Sequence, residues 1–93
     1  MYAIITNWEF AKITDEMLQT IENVFFPRLK AQGALDVYNI QTTETAGSVV
    51  SVWPDKDTAD KAMDEVQRVR SEATSTFDSK VISVASGPVI VKA

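Results

Sequence analysis

Residues 35–53, with the sequence LDVYNIQTTETAGSVVSVW, hold two runs of β-forming residues separated by a short polar turn. Residues 35–42 alternate between apolar and polar side chains, and residues 48–53 form a second run after the turn-forming stretch 44–47. Alternating β-branched and aromatic residues on either side of a glycine-containing turn are typical of a β-hairpin. This stretch therefore predicts two antiparallel strands in the middle of the chain.

The segment before the hairpin has the spacing of an amphipathic helix. Between residues 15 and 31, apolar residues recur at intervals of three and four, with Thr14 as the expected N-cap and Gly33 as the expected left-handed cap. Pro27 lies inside this pattern, where it lacks the N–H that would bond to the carbonyl four residues earlier. We therefore expect a kink or a break near residues 25–26.

A second helix is predicted after the hairpin. Pro54 ends the strand, and Asp55 or Asp57 can cap a helix whose apolar positions form one stripe. The stripe consists of Ala59, Ala62, Met63, Val66, Val69 and Ala73. The opposite face of this helix is charged, and we expect it to face solvent.

The two remaining strands are predicted at the ends of the chain. Residues 2–8 and residues 80–86 have extended patterns, and Gly87 and Pro88 interrupt the second of them before residues 89–91 resume it. Because proline cannot donate within a strand ladder, we expect a bulge or a change of sheet edge at this interruption.

The resulting order, β-α-β-β-α-β, is that of the ferredoxin-like fold, an α+β architecture with both helices on one face of a four-stranded antiparallel sheet. Ninety-three residues without a linker or repeat suit one domain, 1–93. The other sheet face is left bare, although apolar residues occupy both parities of the strands, as in Ile4 and Ile5 or Val49 and Val50.

We expect a second copy of the chain to cover this bare face. Leaving half a dozen apolar side chains in water would forgo on the order of 1.5 to 3 kcal/mol each, which in sum is comparable to the whole stability of a small domain. The sequence therefore predicts a two-fold homodimer with its sheets packed face to face, and residues 88–93 are a candidate arm across the interface. A monomer that tolerates scattered exposed apolar residues is the alternative.

The composition excludes several classes of function. With 9 basic and 13 acidic residues and a net charge of -4, the chain lacks the clustered basic charge that captures nucleic acid or an anionic membrane. It contains no cysteine and no histidine, so thiolate sites, the commonest metal ligand and the usual general base are absent, and we expect no metal and no cofactor. The N-terminal residues show no basic leader and no apolar run of about 20 residues, so we expect a cytoplasmic location.

Three stretches resemble the dimeric α+β barrel domains related to antibiotic biosynthesis monooxygenases: residues 4–7 (IITN), 26–33 (FPRLKAQG) and 52–59 (VWPDKDTA). Cofactor-independent oxygenases of this family oxidise phenolic or quinol-like polycyclic substrates between helices and sheet, and the resemblance implies such a pocket here. Haem-degrading relatives use an asparagine, a tryptophan and a histidine. Asn7 and Trp53 match the first two positions, but the missing histidine argues against haem.

The candidate catalytic residues are Asn7, Trp53 and Tyr38. We expect Asn7 to point inward from a central strand and donate to a substrate oxygen, Trp53 to form a flat wall, and Tyr38 to supply a hydroxyl group. The candidate substrate-binding residues are Trp8, Met17, Phe25, Arg28 and Met63. Every candidate in both groups also has a purely structural explanation. The apolar residues can be core packing. Asn7 can form a hydrogen bond at a strand end or to a loop, and Arg28 can be a favourable charge at a helix end.

The leading hypothesis is a homodimer that binds or oxidises a small aromatic or hydrophobic molecule without a cofactor. In the oxidation, a substrate phenolate or carbanion would react directly with oxygen while the protein supplies desolvation and hydrogen bonds. The alternative is a non-enzymatic ligand-binding or assembly module whose core is filled by Phe25, Met63 and Trp53. A solvent-connected cavity of about 300 Å³ or more, lined by Asn7 and Trp53, favours the first hypothesis, and a packed interior favours the second.

Overall fold

The computed structural model covers residues 1–93 and contains four β-strands, three α-helices and one π-helical segment. In chain order these are β1 (Tyr2–Phe10), α1 (Asp15–Thr20), the π-helical segment Ile21–Phe25, α2 (Phe26–Ala31), β2 (Asp36–Thr43), β3 (Ala46–Trp53), α3 (Lys56–Thr76) and β4 (Ser79–Pro88). The strands form one antiparallel sheet in the order β2-β3-β1-β4. This is the ferredoxin-like α+β arrangement that the sequence predicts.

The central strand β1 alternates between the two faces of the sheet. Ile4, Thr6, Trp8 and Phe10 are buried on the face that the helices cover, whereas Ile5 is 38% exposed on the opposite face. We call the face that carries Ile5 the open face. The apolar pair at positions 4 and 5 therefore supplies one residue to each face, as the sequence predicts.

The first helical region begins as expected but changes its winding before the proline. Thr14 Oγ1 accepts a hydrogen bond from the backbone N–H of Met17 at 3.1 Å and caps α1. Where a kink or a break was expected, the chain forms the π-helical segment, and the N–H of Phe26 bonds to the carbonyl of Ile21 five residues earlier. Pro27 then lies in the first turn of α2, where its missing N–H is tolerated.

The end of α2 and the start of α3 lie against each other. Gly33 ends the first helical region with a φ of 111°, and a Cβ on it would lie only 2.9 Å from Thr58 Cγ2. Asp55 caps α3 by accepting a hydrogen bond from the N–H of Thr58 at 2.8 Å. This bond lowers the pKa of the Asp55 carboxyl group. Of the two aspartates expected as caps, Asp55 is therefore the one used.

The hydrophobic core lies between the sheet and the helices in two clusters. The larger cluster joins the sheet to the stripe predicted on α3, and its buried members are Ile4, Phe25, Leu29, Ala34, Trp53, Ala59, Ala62, Val66 and Val69. The smaller cluster joins β1 to α1 and consists of Trp8, Phe10 and Met17. The stripe of α3 therefore packs as predicted, whereas in the first helical region Leu18 and Val24 of the predicted apolar face are 44% and 48% exposed.

The position of the irregularity in β4 corrects the prediction. The strand continues through Gly87 to Pro88, which pairs with Tyr2, so neither residue interrupts it. The register shift instead lies opposite Asn7 and Trp8, near the middle of the strand pair. Proline is accommodated at position 88 because β4 is an edge strand and ends there.

Residues 89–93 follow β4 and form neither helix nor strand. The N–H of Val89 donates to the carbonyl of Met1 at 2.9 Å. Beyond this bond, Ile90 is 88% exposed and Val91 is 83% exposed. The expected strand over residues 89–91 is therefore absent, and two apolar side chains project from the end of the domain.

Candidate functional site

A cavity of about 60 Å³ lies between the helices and the sheet, and its walls are mostly apolar. Trp8 and Phe10 of β1 and Met17 of α1 line it, together with Phe25 and Val66 from the helical layer. The cavity is partly open to solvent. Its mostly apolar lining is the usual character of a small-molecule pocket.

The π-helical segment forms part of the wall of this cavity. Ile21 and Phe25 line it, as does Phe26 at the start of α2. Phe25 also packs edge-on against Phe77, with ring centroids 5.9 Å apart. Because π-helical turns are rare and frequently lie at functional sites, this local winding is a second indication that the cavity has a function.

Five polar residues also line the cavity: Thr6, Asn39, Ser51, Arg70 and Ser79. Arg70 of α3 donates from Nη2 to Thr6 Oγ1 at 2.9 Å across the helix-sheet interface. The Ser51 hydroxyl oxygen accepts the indole N–H of Trp53 at 2.9 Å. The cavity therefore combines an apolar wall with one charged group and several hydroxyl or amide groups.

Arg70 is half-buried and takes part in no ion pair. Burial lowers the pKa of its guanidinium group, although arginine remains protonated throughout the physiological range. No buried side-chain nitrogen or oxygen lacks a hydrogen-bond partner, so the Arg70 nitrogens that are not bonded to Thr6 retain access to solvent. A charged donor is therefore available at the cavity without a carboxylate to neutralise it.

Three of the candidate substrate-binding residues line this cavity, namely Trp8, Met17 and Phe25. Met63 is half-buried and packs against the larger core cluster, but it does not reach the cavity. Three of the four apolar candidates therefore line the cavity, and their contact with a substrate stays a prediction.

Arg28 does not line the cavity and is paired with two glutamates of α3. Its guanidinium donates to Glu65 Oε1 at 2.7 Å and also pairs with Glu72, so it joins α2 to α3. The hydrogen bond to Glu65 raises the pKa of Arg28 and lowers that of Glu65. The guanidinium group that was expected to pair with an acidic substrate is therefore already paired with two carboxylates of its own chain.

Asn7 lies on the open face and does not point inward. Its Oδ1 accepts from Ser48 Oγ at 2.6 Å, and its Nδ2 donates to Ser83 Oγ at 3.0 Å. Because Thr6 and Trp8 take the inward positions of β1, the period of two places the residue between them on the other side. The expected donation from Asn7 into the cavity is therefore incompatible with its position.

Trp53 and Tyr38 also lie outside the cavity. Trp53 has no exposed surface, and its single donor is used by Ser51. Tyr38 is 54% exposed and pairs with Val50 in the register of the open face. The structure therefore does not bring the three candidate catalytic residues Asn7, Trp53 and Tyr38 into one site.

Arg70 is the charged residue of the cavity, and it was not among the residues predicted from the sequence to form a site. It lies four residues after Val66 and three before Ala73, which places it within the apolar stripe of α3. A charged residue at such a position is the signal that could have identified it. Its bond to Thr6 joins residues far apart in sequence and could not be deduced from spacing.

The open face carries an apolar row that crosses all four strands. The register aligns Tyr38 of β2 with Val50 of β3, Val50 with Ile5 of β1, and Ile5 with Ala85 of β4. Beside it runs a row that contains Ile40 and the hydrogen-bonded residues Ser48, Asn7 and Ser83. The face that the sequence predicts to be bare therefore carries a row of apolar side chains.

Other kinds of site have little support. No group of three His, Cys, Asp or Glu side chains is arranged to hold a metal ion. None of the helices has both the length and the apolar character required to cross a membrane.

Two solved structures share this fold. A dimeric ferredoxin-like protein from an uncultured marine organism aligns with a TM-score of 0.70 at 15% identity, over 99% of this chain and 97% of that chain. HapK from Hahella chejuensis aligns with a TM-score of 0.70 at 13% identity, over 100% of this chain and 96% of that chain. No family model and no curated protein matches the sequence. These similarities establish a ferredoxin-like α+β fold and do not extend to the monooxygenase family.

Proposed function

We propose that this chain forms a homodimer through its open face and that each copy binds a small apolar molecule between its helices and its sheet. The observation that carries the binding function is the partly open cavity, with Trp8, Met17 and Phe25 on its wall. Aromatic and thioether side chains provide a large apolar contact surface for a ligand.

The volume of the cavity restricts the size of the ligand. At about 60 Å³ it is smaller than the cavity of about 150 Å³ that takes up benzene in another protein. A branched alkyl group suits the present volume best, and a single ring requires a lining side chain, such as that of Met17, to move. The flexibility of methionine makes such a change inexpensive.

We do not extend the proposal to oxidation of polycyclic phenols, which stays a prediction from the resemblance. Such substrates need a cavity of roughly 300 Å³ or more. Asn7 and Tyr38 lie on the open face, and the donor of Trp53 is already bonded to Ser51. None of the residues that line the cavity is an evident base for the deprotonation that this chemistry needs.

The homodimer is supported by the apolar row through Tyr38, Val50, Ile5 and Ala85. A second copy of the same sheet buries this row without requiring any other partner. The marine protein with the same fold is described as dimeric, which agrees with this arrangement.

An assembly module without a ligand is the second candidate. Phe25 and Trp53 are buried in the larger core cluster and Met63 packs against it, which is the filled interior that this alternative requires. A dimer that binds no small molecule in the cavity would favour this candidate.

Nuclear magnetic resonance of the two tryptophan indole N–H groups tests the binding function. Trp8 lines the cavity, whereas Trp53 meets it only through its bond to Ser51, so a ligand in the cavity shifts the Trp8 signal in a saturable manner and shifts the Trp53 signal less. The neutral probes are isobutyramide and benzamide, with dissociation constants on the order of 1 mM expected for such small molecules. If neither these amides nor the corresponding acids, isobutyrate and benzoate, shift the Trp8 signal at tenfold higher concentration, binding is rejected and the assembly module remains.

A further inference from the structure

We infer that the natural ligand of the cavity is a small apolar carboxylic acid whose carboxylate pairs with Arg70, an inference that rests on the proposed binding function. The apolar part of the ligand contacts the wall formed by Trp8, Met17 and Phe25. The carboxylate lies at the guanidinium group, where two oxygens can accept parallel hydrogen bonds.

The charge distribution around Arg70 supports this ligand class. The chain has more acidic than basic residues, yet no carboxylate of its own lies within ion-pair distance of Arg70. Arg28 on the neighbouring α2, in contrast, is paired with two glutamates. A half-buried cation without a counterion is costly, and an anionic ligand would remove that cost.

The hydrogen-bond geometry leaves the guanidinium both fixed and available. The bond from Arg70 Nη2 to Thr6 Oγ1, 2.9 Å long, holds the side chain against β1. Of the five N–H donors of arginine, this bond uses one. The hydroxyl of Ser51 and the amide of Asn39 also line the cavity and offer further donors to a ligand oxygen.

A carboxylate suits this site better than a phosphate. The cavity is small and mostly apolar, and a phosphate group brings more charge and a larger hydration shell than one arginine can compensate. A planar carboxylate on a short alkyl group or a single ring provides one negative charge and two acceptors, which matches one guanidinium.

The experiment compares isosteric acids and amides by the shift of the Trp8 indole signal. Isobutyrate is measured against isobutyramide, and benzoate against benzamide, in the wild type and in Arg70→Met. In the wild type, we expect each acid to bind about tenfold more tightly than its amide. In Arg70→Met, this preference disappears, while the affinity for the amides changes by less than about threefold.

Arg68→Met is the matched control. Arg68 lies on the same helix, is 67% exposed and does not line the cavity, so its replacement removes the same charge without removing the proposed contact. The preference for acids is expected to persist in this variant. If it is lost equally in Arg68→Met and Arg70→Met, the effect is one of net charge and the inference is wrong.

Two conservative variants keep the test decisive if Arg70→Met does not fold. Arg70→Lys retains the charge but loses the planar pair of donors. Thr6→Val retains Arg70 but removes the hydroxyl to which it is bonded. Both variants should reduce the preference for acids without abolishing amide binding. Amide binding with no preference for acids in the wild type overturns the inference and leaves the proposed function intact. Failure of every acid and amide to bind overturns both.

Discussion

Asn7 Nδ2 donates to Ser83 Oγ at 3.0 Å and thereby joins β1 to β4 on the open face of the sheet. The carboxamide oxygen of the same residue accepts from Ser48 Oγ on β3 at 2.6 Å. A single side chain thus ties together three adjacent strands at the edge of the apolar row. The asparagine is therefore placed to stabilise the sheet and the proposed dimer interface rather than to contact a ligand in the cavity.

We predict that Asn7→Ala destabilises the folded chain by about 1 to 2 kcal/mol, because it removes two hydrogen bonds between side chains. Ser83→Ala removes one of the two and should cost less. Urea denaturation measures both changes. The response of the Trp8 indole to benzamide should stay the same in Asn7→Ala, and loss of that response in a folded variant would contradict the placement of Asn7 outside the binding site.

The apolar row on the open face predicts a specific effect of charge on assembly. Val50→Lys places an ammonium group in the centre of the row, between Ile5 and Tyr38. We expect the wild type to sediment as a dimer at micromolar concentration and Val50→Lys to sediment as a monomer, because burying an unpaired charge in the interface is costly.

Val84→Lys is the control for this experiment. Val84 pairs with Thr6, is 50% exposed and lies at the sheet edge outside the apolar row. The same substitution there should leave the dimer intact. A monomeric wild type, or a Val50→Lys variant that remains dimeric, would show that the open face is not the interface.

The exposed C-terminal segment leads to a separate prediction about the dimer. If residues 88–93 reach across the interface, deletion of residues 89–93 removes Ile90 and Val91 from it and weakens dimerisation by about tenfold or more. A second variant, with serine at positions 90 and 91, also lacks the two apolar side chains but retains the chain length and the bond between Val89 and Met1. Equal dimer dissociation constants for all three chains, measured by sedimentation equilibrium, would exclude the arm.

The strand and helix order could be predicted because it depends on local periodicity. The hairpin within residues 35–53, the cap at Thr14 and the apolar stripe of α3 all appear in the structure. The irregularity in β4 could not be located in this way. Proline at the end of an edge strand needs no donor, whereas the register shift opposite Asn7 arises from the pairing of two strands distant in sequence.

The candidate site was harder to predict because it depends on contacts between distant residues. The alternation of β1 places Asn7 on the face opposite Thr6 and Trp8, but apolar residues on both faces of the strand left open which face the helices cover. Arg28 could not be distinguished from a free cation without knowing that α3 brings Glu65 and Glu72 beside it. For the same reason, Arg70 became a candidate only when the structure placed it on the wall of an apolar cavity.

The ion pair between Arg28 and Glu65 predicts a pH-dependent contribution to stability. The pKa of Glu65 is lowered in the folded state by its hydrogen bond to Arg28. A carboxyl group with a lowered folded-state pKa stabilises the fold above its unfolded pKa, which is about 4.3 for glutamate, and this contribution is lost as the pH falls through the folded-state value. Wild type should therefore exceed Arg28→Met in stability near neutral pH, and the difference should shrink in acid.

Urea denaturation of wild type and Arg28→Met at about pH 7 and about pH 3 measures this difference. Arg68→Met is the control, because Arg68 is 4.0 Å from Glu65 and lies on the same helix, so it does not join α2 to α3. Its effect on stability should be smaller at neutral pH. A difference for Arg28→Met that is the same at both pH values would mean that the ion pair does not contribute to the fold.

Two features restrict position 33 to glycine, the positive φ and the close approach of Thr58, and a double-mutant cycle can separate them. Gly33→Ala places a Cβ on a residue with a φ of 111° and brings that atom to 2.9 Å from Thr58 Cγ2. We expect a loss of about 1 to 2 kcal/mol from the backbone conformation, with an additional loss from the close contact. Thr58→Ser removes the methyl group and retains the hydroxyl that bonds to Asp55 at 2.7 Å.

In the Thr58→Ser background, Gly33→Ala should therefore cost less than in the wild type, because only the backbone contribution remains. Urea denaturation of the four chains gives the coupling free energy between the two positions. A coupling near zero with a large cost in both backgrounds assigns the whole effect to backbone strain, and a negligible cost in both would contradict the positive φ at Gly33. Because this glycine fixes where α2 ends beside α3, the measurement tests the helix packing that encloses the cavity.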